Sequence, residues 1–113
     1  MLNFLNRSAI ILEPKQPYVD WANSLDDGPR YEQAIHDTEA IPIFLGPNVD
    51  EESEVESYVA KNYDLFFEEW LEYWCTDPAL WPPKRTKKMF REWFTVRIHT
   101  MVFDTVELPF ELE

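Results

Sequence analysis

Residues 53–74, SEVESYVAKNYDLFFEEWLEYW, carry the pattern on which the fold turns. Val55, Val59, Tyr63, Phe66, Trp70 and Tyr73 recur every three or four positions, which places them on one face of a helix. Lys61, Asp64, Glu68 and Glu72 fall on the opposite, acidic face. Ser53-Glu54-Val55-Glu56 has the spacing of a capping box, with Ser53 accepting from the third helical N–H and Glu56 reaching back. Asp50, Glu51 and Glu52 add negative charge at the positive pole of the helix dipole. The pattern predicts one long amphipathic helix over 54–74, ended by Asp77-Pro78.

Upstream, Ser8 to Glu13 reads as a strand through the apolar, β-branched Ile10, Ile11 and Leu12, and Pro14 stops it. Pro17 suits the first turn of a helix, where its missing N–H is not needed. Tyr18, Trp21, Ala22 and Leu25 then give a short helix over 17–25, with Asp26-Asp27-Gly28-Pro29 ending it. Residues 30–38 show no decisive period. Ile41 to Leu45 reads as a second strand that Pro42 confines to an edge or a strand start, and Gly46-Pro47 turns the chain.

Downstream, Thr86 to Phe94 reads as a third helix with Met89, Phe90, Trp93 and Phe94 as its buried stripe. Thr95 to Val106 alternates as a longer strand. Val96, Ile98 and Val102 point one way, and Arg97, His99, Met101 and Phe103 the other. Leu108, Phe110 and Leu112 alternate with polar residues and predict a short edge strand or a tail that docks on a neighbour. The order β-α-β-α-α-β predicts an α+β fold over a single domain, 1–113. A three- or four-stranded sheet covered by helices on one face is its simplest packing, and a sheet between helices is the alternative.

Composition bounds the function. The chain of 113 residues is 45% hydrophobic and 16% aromatic, enough to close a core, and carries a net charge of −12. That charge opposes direct binding to nucleic acid or anionic membrane, which requires Lys and Arg against phosphate. The acidity is local, with eight acids against three bases over 1–50, nine against one over 51–80, and five against six over 81–113. Lys84, Arg85, Lys87, Lys88 and Arg91 form a basic cluster, expected to lie near the acidic helix and offset its field. One cysteine, no basic-then-apolar leader pattern and no apolar run of spanning length predict a cytoplasmic, soluble chain.

Motifs for chemistry are scarce. Gly28 and Gly46 are the only glycines, so no glycine-rich phosphate loop can form. Cys75 lies at the negative pole of the long helix beside Glu72 and Asp77, the opposite of a thiolate-stabilising site. His36-Asp37 and His99 with Asp104 lack metal-ligand spacing, and His99 reads as a satisfied, partly buried strand residue. Glu68 and Glu69 diverge by about 100° on a helix and cannot act as a facing acid/base pair. No catalytic residue, metal or cofactor is expected.

Several blocks carry a resemblance: Asn6-Arg7-Ser8-Ala9, Pro14-Lys15-Gln16-Pro17, Trp74, the Asp77–Pro82 loop with Leu80-Trp81, Met89-Phe90, Glu92-Trp93-Phe94, and His99 with Met101-Val102-Phe103-Asp104. In these the chain resembles a family of small uncharacterised bacterial proteins, a domain of unknown function with no assigned activity. The resemblance implies a bacterial, cytoplasmic α+β protein and transfers no functional residue.

Three functional readings follow. The leading one is a non-catalytic binding or regulatory module acting through protein contacts, with a basic protein as partner and Trp81 as a loop anchor. A dimer through an edge strand or the C-terminal tail fits the same reading. The second is a ligand-binding protein or enzyme with a polar pocket where the first strand ends, built from Lys15 and Gln16 with Arg97 and His99. The third is a DNA mimic whose carboxylates, Asp64, Glu68 and Glu72 among them, imitate phosphates.

Overall fold

The computed structural model describes residues 3–25 and 41–112. In chain order these form β1 (Asn3–Phe4), β2 (Ser8–Pro14), α1 (Gln16–Ser24), β3 (Phe44–Gly46), α2 (Glu52–Lys61) and α3 (Tyr63–Trp74). A short 3-10 turn (Pro78–Leu80), α4 (Lys87–Trp93), β4 (Phe94–His99) and β5 (Phe103–Asp104) complete them. The fold is α+β. The expected stop of the first helix at Asp26–Pro29, residues 30–38 and the His36-Asp37 pair lie outside the described residues.

β2 is the central strand of an antiparallel sheet of order β3-β2-β4. Its alternation sets the two faces. Ser8, Ile10, Leu12 and Pro14 are buried, whereas Ala9, Ile11 and Glu13 face away. On β4 the buried and half-buried Phe94, Val96 and Ile98 share the inner face, and Thr95, Arg97 and His99 are exposed. Among the described residues the helices cover only the inner face. β3 begins later than the sequence pattern suggests, at Phe44, because Pro42 has no N–H to enter a ladder. It runs on to Gly46, which pairs with Ser8. A Cβ at Gly46 would come 2.7 Å from Ile10 Cδ1, so any larger residue there would have to displace the buried Ile10 side chain.

The expected long strand over 95–106 is two strands. Phe4 pairs with Phe103 and Ala9 with His99. Four residues thus separate the paired positions on the first strand and three on the second. That extra residue interrupts the ladder as a bulge does and divides the ribbon into β2–β4 and β1–β5. The Leu5 N–H to Val102 carbonyl bond, 2.7 Å, resumes the pairing. The tail beyond β5 forms no strand, and Leu108, Phe110 and Leu112 are exposed.

The predicted helix over 54–74 is also two elements. Asn62 leaves the helical region at φ −110°, ψ 25°. Its side-chain amide and its backbone N–H both donate to the Tyr58 carbonyl, at 2.9 and 3.1 Å. Asparagine competes with the helical ladder through such local bonds. Leu65 then donates to Asn62 rather than to Lys61, which starts α3 afresh. The start of α2 differs too. Glu51, not Ser53, is the N-cap, in a reciprocal capping box with Glu54. The same three-residue spacing to a glutamate exists two positions earlier, and there the acid also meets the helix dipole.

The core is aromatic. Tyr18, Ala22, Val55, Val59, Phe66, Phe67, Trp70, Leu71, Phe90 and Phe94 close over Ile10 and Leu12. Phe94 lies at its centre, with ring centroids 5.4 Å from Tyr18, 5.5 Å from Phe67, 5.7 Å from Trp70 and 5.5 Å from Phe90. Such contacts contribute about 0.5–1.5 kcal/mol each beyond area burial. The fully buried Tyr18 hydroxyl donates to the Trp70 carbonyl at 2.7 Å, tying α1 to α3. Burial, with a smaller contribution from Tyr73, pushes its phenol well above the usual range.

Two stability predictions follow from this core. Phe94→Ala is expected to cost about 3–5 kcal/mol in urea denaturation, and a loss below 1 kcal/mol would refute its central place. For Tyr18 the raised pKa means the folded state holds its proton after the unfolded chain has lost it. Stability from this group is therefore complete below pH 10.0, the ordinary phenol value, and declines above it by up to about 1.4 kcal/mol per pH unit. Tyr18→Phe should remove that part of the alkaline slope while costing about 1 kcal/mol at neutral pH.

Candidate protein-interaction surface

α4 and β4 follow one another without a loop, and that junction builds the most distinctive surface of the molecule. Thr86 caps α4 by accepting the Met89 N–H at 3.1 Å. At the other end Phe94 donates to the Phe90 carbonyl as it enters β4. A short helix therefore stands beside the strand it feeds, and α2 packs next to both. Between α2, α4 and β4 lies a cleft of about 280 Å³. Val59, Ala60, Phe90, Val96 and Ile98 form its apolar lining, with Glu56, Lys87 and Arg91 as charged members. It is at the small end of ligand pockets, with room for a large side chain rather than a whole cofactor.

The cleft lies against a strand edge. In an antiparallel pair the residues that exchange hydrogen bonds alternate along the strand. Lys15 donates to the Trp93 carbonyl at 2.7 Å, which continues the register Glu13↔Thr95, Ile11↔Arg97 and Ala9↔His99 as the bonded pairs. Pro14, which has no N–H, falls opposite Phe94 in a non-bonded pair. Val96 and Ile98 therefore direct their N–H and C=O groups away from β2, and among the described residues no strand pairs with them. The two β4 residues whose side chains line the cleft are the two whose main-chain groups point away from β2 to a side where no described strand lies.

The residues singled out from sequence are dispersed around this surface. Lys15 Nζ donates to the Arg91 carbonyl at 2.9 Å, and Gln16 Nε2 to Asp20 Oδ1 at 2.8 Å within α1. Arg97 pairs with Glu13 on the outer face of the sheet, where His99 is exposed rather than half-buried as expected. Arg97 and His99 share a face, but neither they nor Lys15 line the cleft. Trp81 donates its indole N–H to the Cys75 carbonyl at 2.8 Å and is half-buried, so its loop is clamped back onto the end of α3. Trp21 and Trp74 fasten the same region, donating to the carbonyls of Leu80 and Ala22 at 3.1 and 3.2 Å.

The acidic face of α3 is partly neutralised within the chain. Arg85 reaches Asp64 and Glu68, each at 2.7 Å, and its guanidinium stands 6.0 Å from the centre of the Trp81 ring. The hydrogen bond that Arg85 donates to Asp64, helped by the charges of Asp64 and Glu68 against some desolvation, holds the guanidinium above its ordinary pKa. Glu72 stays exposed. Cys75 is half-buried at the end of α3, with its sulfur 3.8 Å from the Asp77 carbonyl oxygen. Among the described residues no three His, Cys, Asp or Glu side chains gather as a metal site, and no helix is long and apolar enough to cross a membrane.

A second exposed apolar surface extends from the bulge. Phe4 and Phe103 stack edge-to-face at 5.4 Å while remaining 55% and 45% exposed. Met101 just before β5, and Val106, Leu108, Phe110 and Leu112 after it, are exposed apolar residues as well. Clusters of this kind on a small protein mark interaction sites. The cleft residues escaped the reading of the sequence because nothing local says which strand will lie at an edge. The alternation of Val96 and Ile98 was the one available signal.

The fold is thus α+β, and among the described residues it shows a helix-covered sheet, a strand edge beside an apolar cleft that no other strand pairs with, and an exposed apolar tail. Comparison with protein-family models, with curated proteins and with solved structures finds no match for this chain.

Arg85→Ala is expected to lower the stability read from urea midpoints by about 1–2 kcal/mol. The hydrogen bonds are charge-assisted, but Asp64 and Glu68 are 46% and 49% exposed, which limits the gain. Arg85→Lys should recover less than half of that loss, since a single ammonium nitrogen cannot reproduce the guanidinium's paired bonds to Asp64 together with those to Glu68 and the Pro82 carbonyl. Full recovery by lysine would refute the role of the fork.

Proposed function

We propose that this chain is a non-catalytic binding module that takes an extended segment of a protein partner along β4, beside the cleft. The observation that carries the reading is the coincidence at Val96 and Ile98 of main-chain groups that no described strand pairs with and side chains that line an apolar cleft. Strand addition uses this combination: main-chain bonds supply affinity, and a pocket for alternate side chains supplies selectivity. The rim adds a charge preference, because Lys87 and Arg91 favour acidic residues on the segment, and the acidic α2 surface beyond Glu56 favours basic groups around it.

Selection of phage-displayed peptides on the immobilised full chain tests the reading. Enriched peptides should carry apolar residues at alternate positions, and Ile98→Asp should weaken their binding about tenfold or more. Val96→Pro should do the same, because it removes an N–H that faces away from β2 and so leaves the β2–β4 ladder intact. Failure to enrich any alternating peptide, or peptides indifferent to both substitutions, would overturn it.

A further inference from the structure

We infer that the segment β4 receives is residues 108–112 of a second copy of this chain, so that two copies exchange their tails. The inference rests on the strand-addition reading above and names its partner. Leu108-Pro109-Phe110-Glu111-Leu112 alternates apolar residues with Pro109 and Glu111, belongs to no strand and is exposed, with Leu108 and Phe110 74% and 66% exposed. In a strand, alternate residues send their main-chain groups to opposite sides. Leu108, Phe110 and Leu112 thus form one bonding side and Pro109 and Glu111 the other. The proline, which has no N–H, falls on the side that need not bond.

Facing β4, this segment matches on both sheet faces. If Leu108, Phe110 and Leu112 run antiparallel to β4 and bond to the edge groups of Val96 and Ile98, their side chains emerge on the same face as those residues, toward the cleft. Pro109 and Glu111 then emerge on the outer face, where Arg97 and His99 are exposed. Apolar groups meet the apolar cleft, and the carboxylate of Glu111 comes to the outer face beside Arg97, which it would share with Glu13.

Residues 108–112 do not reach this edge within one copy. Asp104 Oδ1 accepts the Val106 N–H at 2.9 Å, which bends the chain directly after β5. Even the tightest hairpin, with Thr105 and Val106 as a two-residue turn, would set Leu108 opposite Phe103 and Leu112 opposite His99. Val96 stays beyond reach. Reciprocal exchange between two copies satisfies both edges and closes the assembly as a two-fold dimer.

Sedimentation velocity on the full chain, from low micromolar concentration upward, tests the inference. The wild type should show a monomer–dimer equilibrium. Phe110→Asp, a change in an exposed tail that leaves the core untouched, and Ile98→Asp should each weaken self-association about tenfold or more. Val96→Pro should do likewise, and far-UV circular dichroism checks that each variant is folded. An equimolar mixture of the Phe110→Asp and Ile98→Asp chains should regain a heterodimer, because one supplies an intact edge and the other an intact tail. Amide exchange at Val96 and Ile98 should slow in the wild-type dimer and not in Phe110→Asp. A monomer at all concentrations, a dimer indifferent to these substitutions, or a mixture that fails to pair would overturn the inference. Selected peptides that bind the edge of such a monomer would leave the strand-addition reading standing, so the two failures are distinguishable.

Discussion

Phe94 is the first residue of β4, and its ring lies among Tyr18 of α1, Phe67 and Trp70 of α3 and Phe90 of α4. One side chain thereby fixes three helices against the sheet. It also fixes the direction in which β4 leaves the core. Once Phe94 faces inward, alternation sends Val96 and Ile98 inward and Arg97 and His99 outward. The same placement leaves the Phe94 N–H on the Phe90 carbonyl, so the end of α4 and the start of β4 share a residue.

A second constraint acts beside it. Pro14 ends β2 opposite Phe94, and Lys15 binds the neighbouring carbonyl of Trp93 with its backbone and that of Arg91 with its side chain. Two strand–helix junctions, β2 into α1 and α4 into β4, are therefore locked together. This lock sets the hydrogen-bonding phase of β4. Shifting that phase by one residue would turn the edge groups of Val96 and Ile98 toward β2 and place Arg97 in the core. The interaction surface and the packing of the core are consequences of the same register.

Local chemistry made much of this legible. Alternation in 94–99, the Pro14 stop, the helical stripes of 63–74 and the cap at Thr86 all express themselves within a few residues. What escaped was either a competition between near-equal local options or a non-local pairing. Glu51 and Ser53 both have a glutamate three residues on, and the earlier one won. Asn62 sits within an otherwise continuous apolar stripe, and only its bond to Tyr58 breaks the helix. The split between β4 and β5 depends on a one-residue mismatch with a strand some ninety positions away in the chain, which no window along the sequence contains. The dispersal of Lys15 from Arg97 has a similar origin, since the Arg91 carbonyl that holds Lys15 is brought there by tertiary packing.

The charge of −12 would seem to set two copies against one another. Screening makes the local distribution decisive, because at physiological ionic strength charges beyond about 8 Å are largely hidden from each other. The acidic surplus lies in residues 1–80, with its densest run over 51–80, whereas 81–113 holds five acids against six bases. Within the acidic part, Asp64 and Glu68 already share Arg85. β4, α4 and the tail all belong to the near-neutral third. In the proposed tail exchange Glu111 falls on the outer face with Arg97; Lys87 and Arg91 stand at the cleft beside the single α2 carboxylate Glu56, and no α3 residue lines it. Acidity of the whole molecule and association through its last third are therefore compatible, because the two properties reside on different parts of one chain.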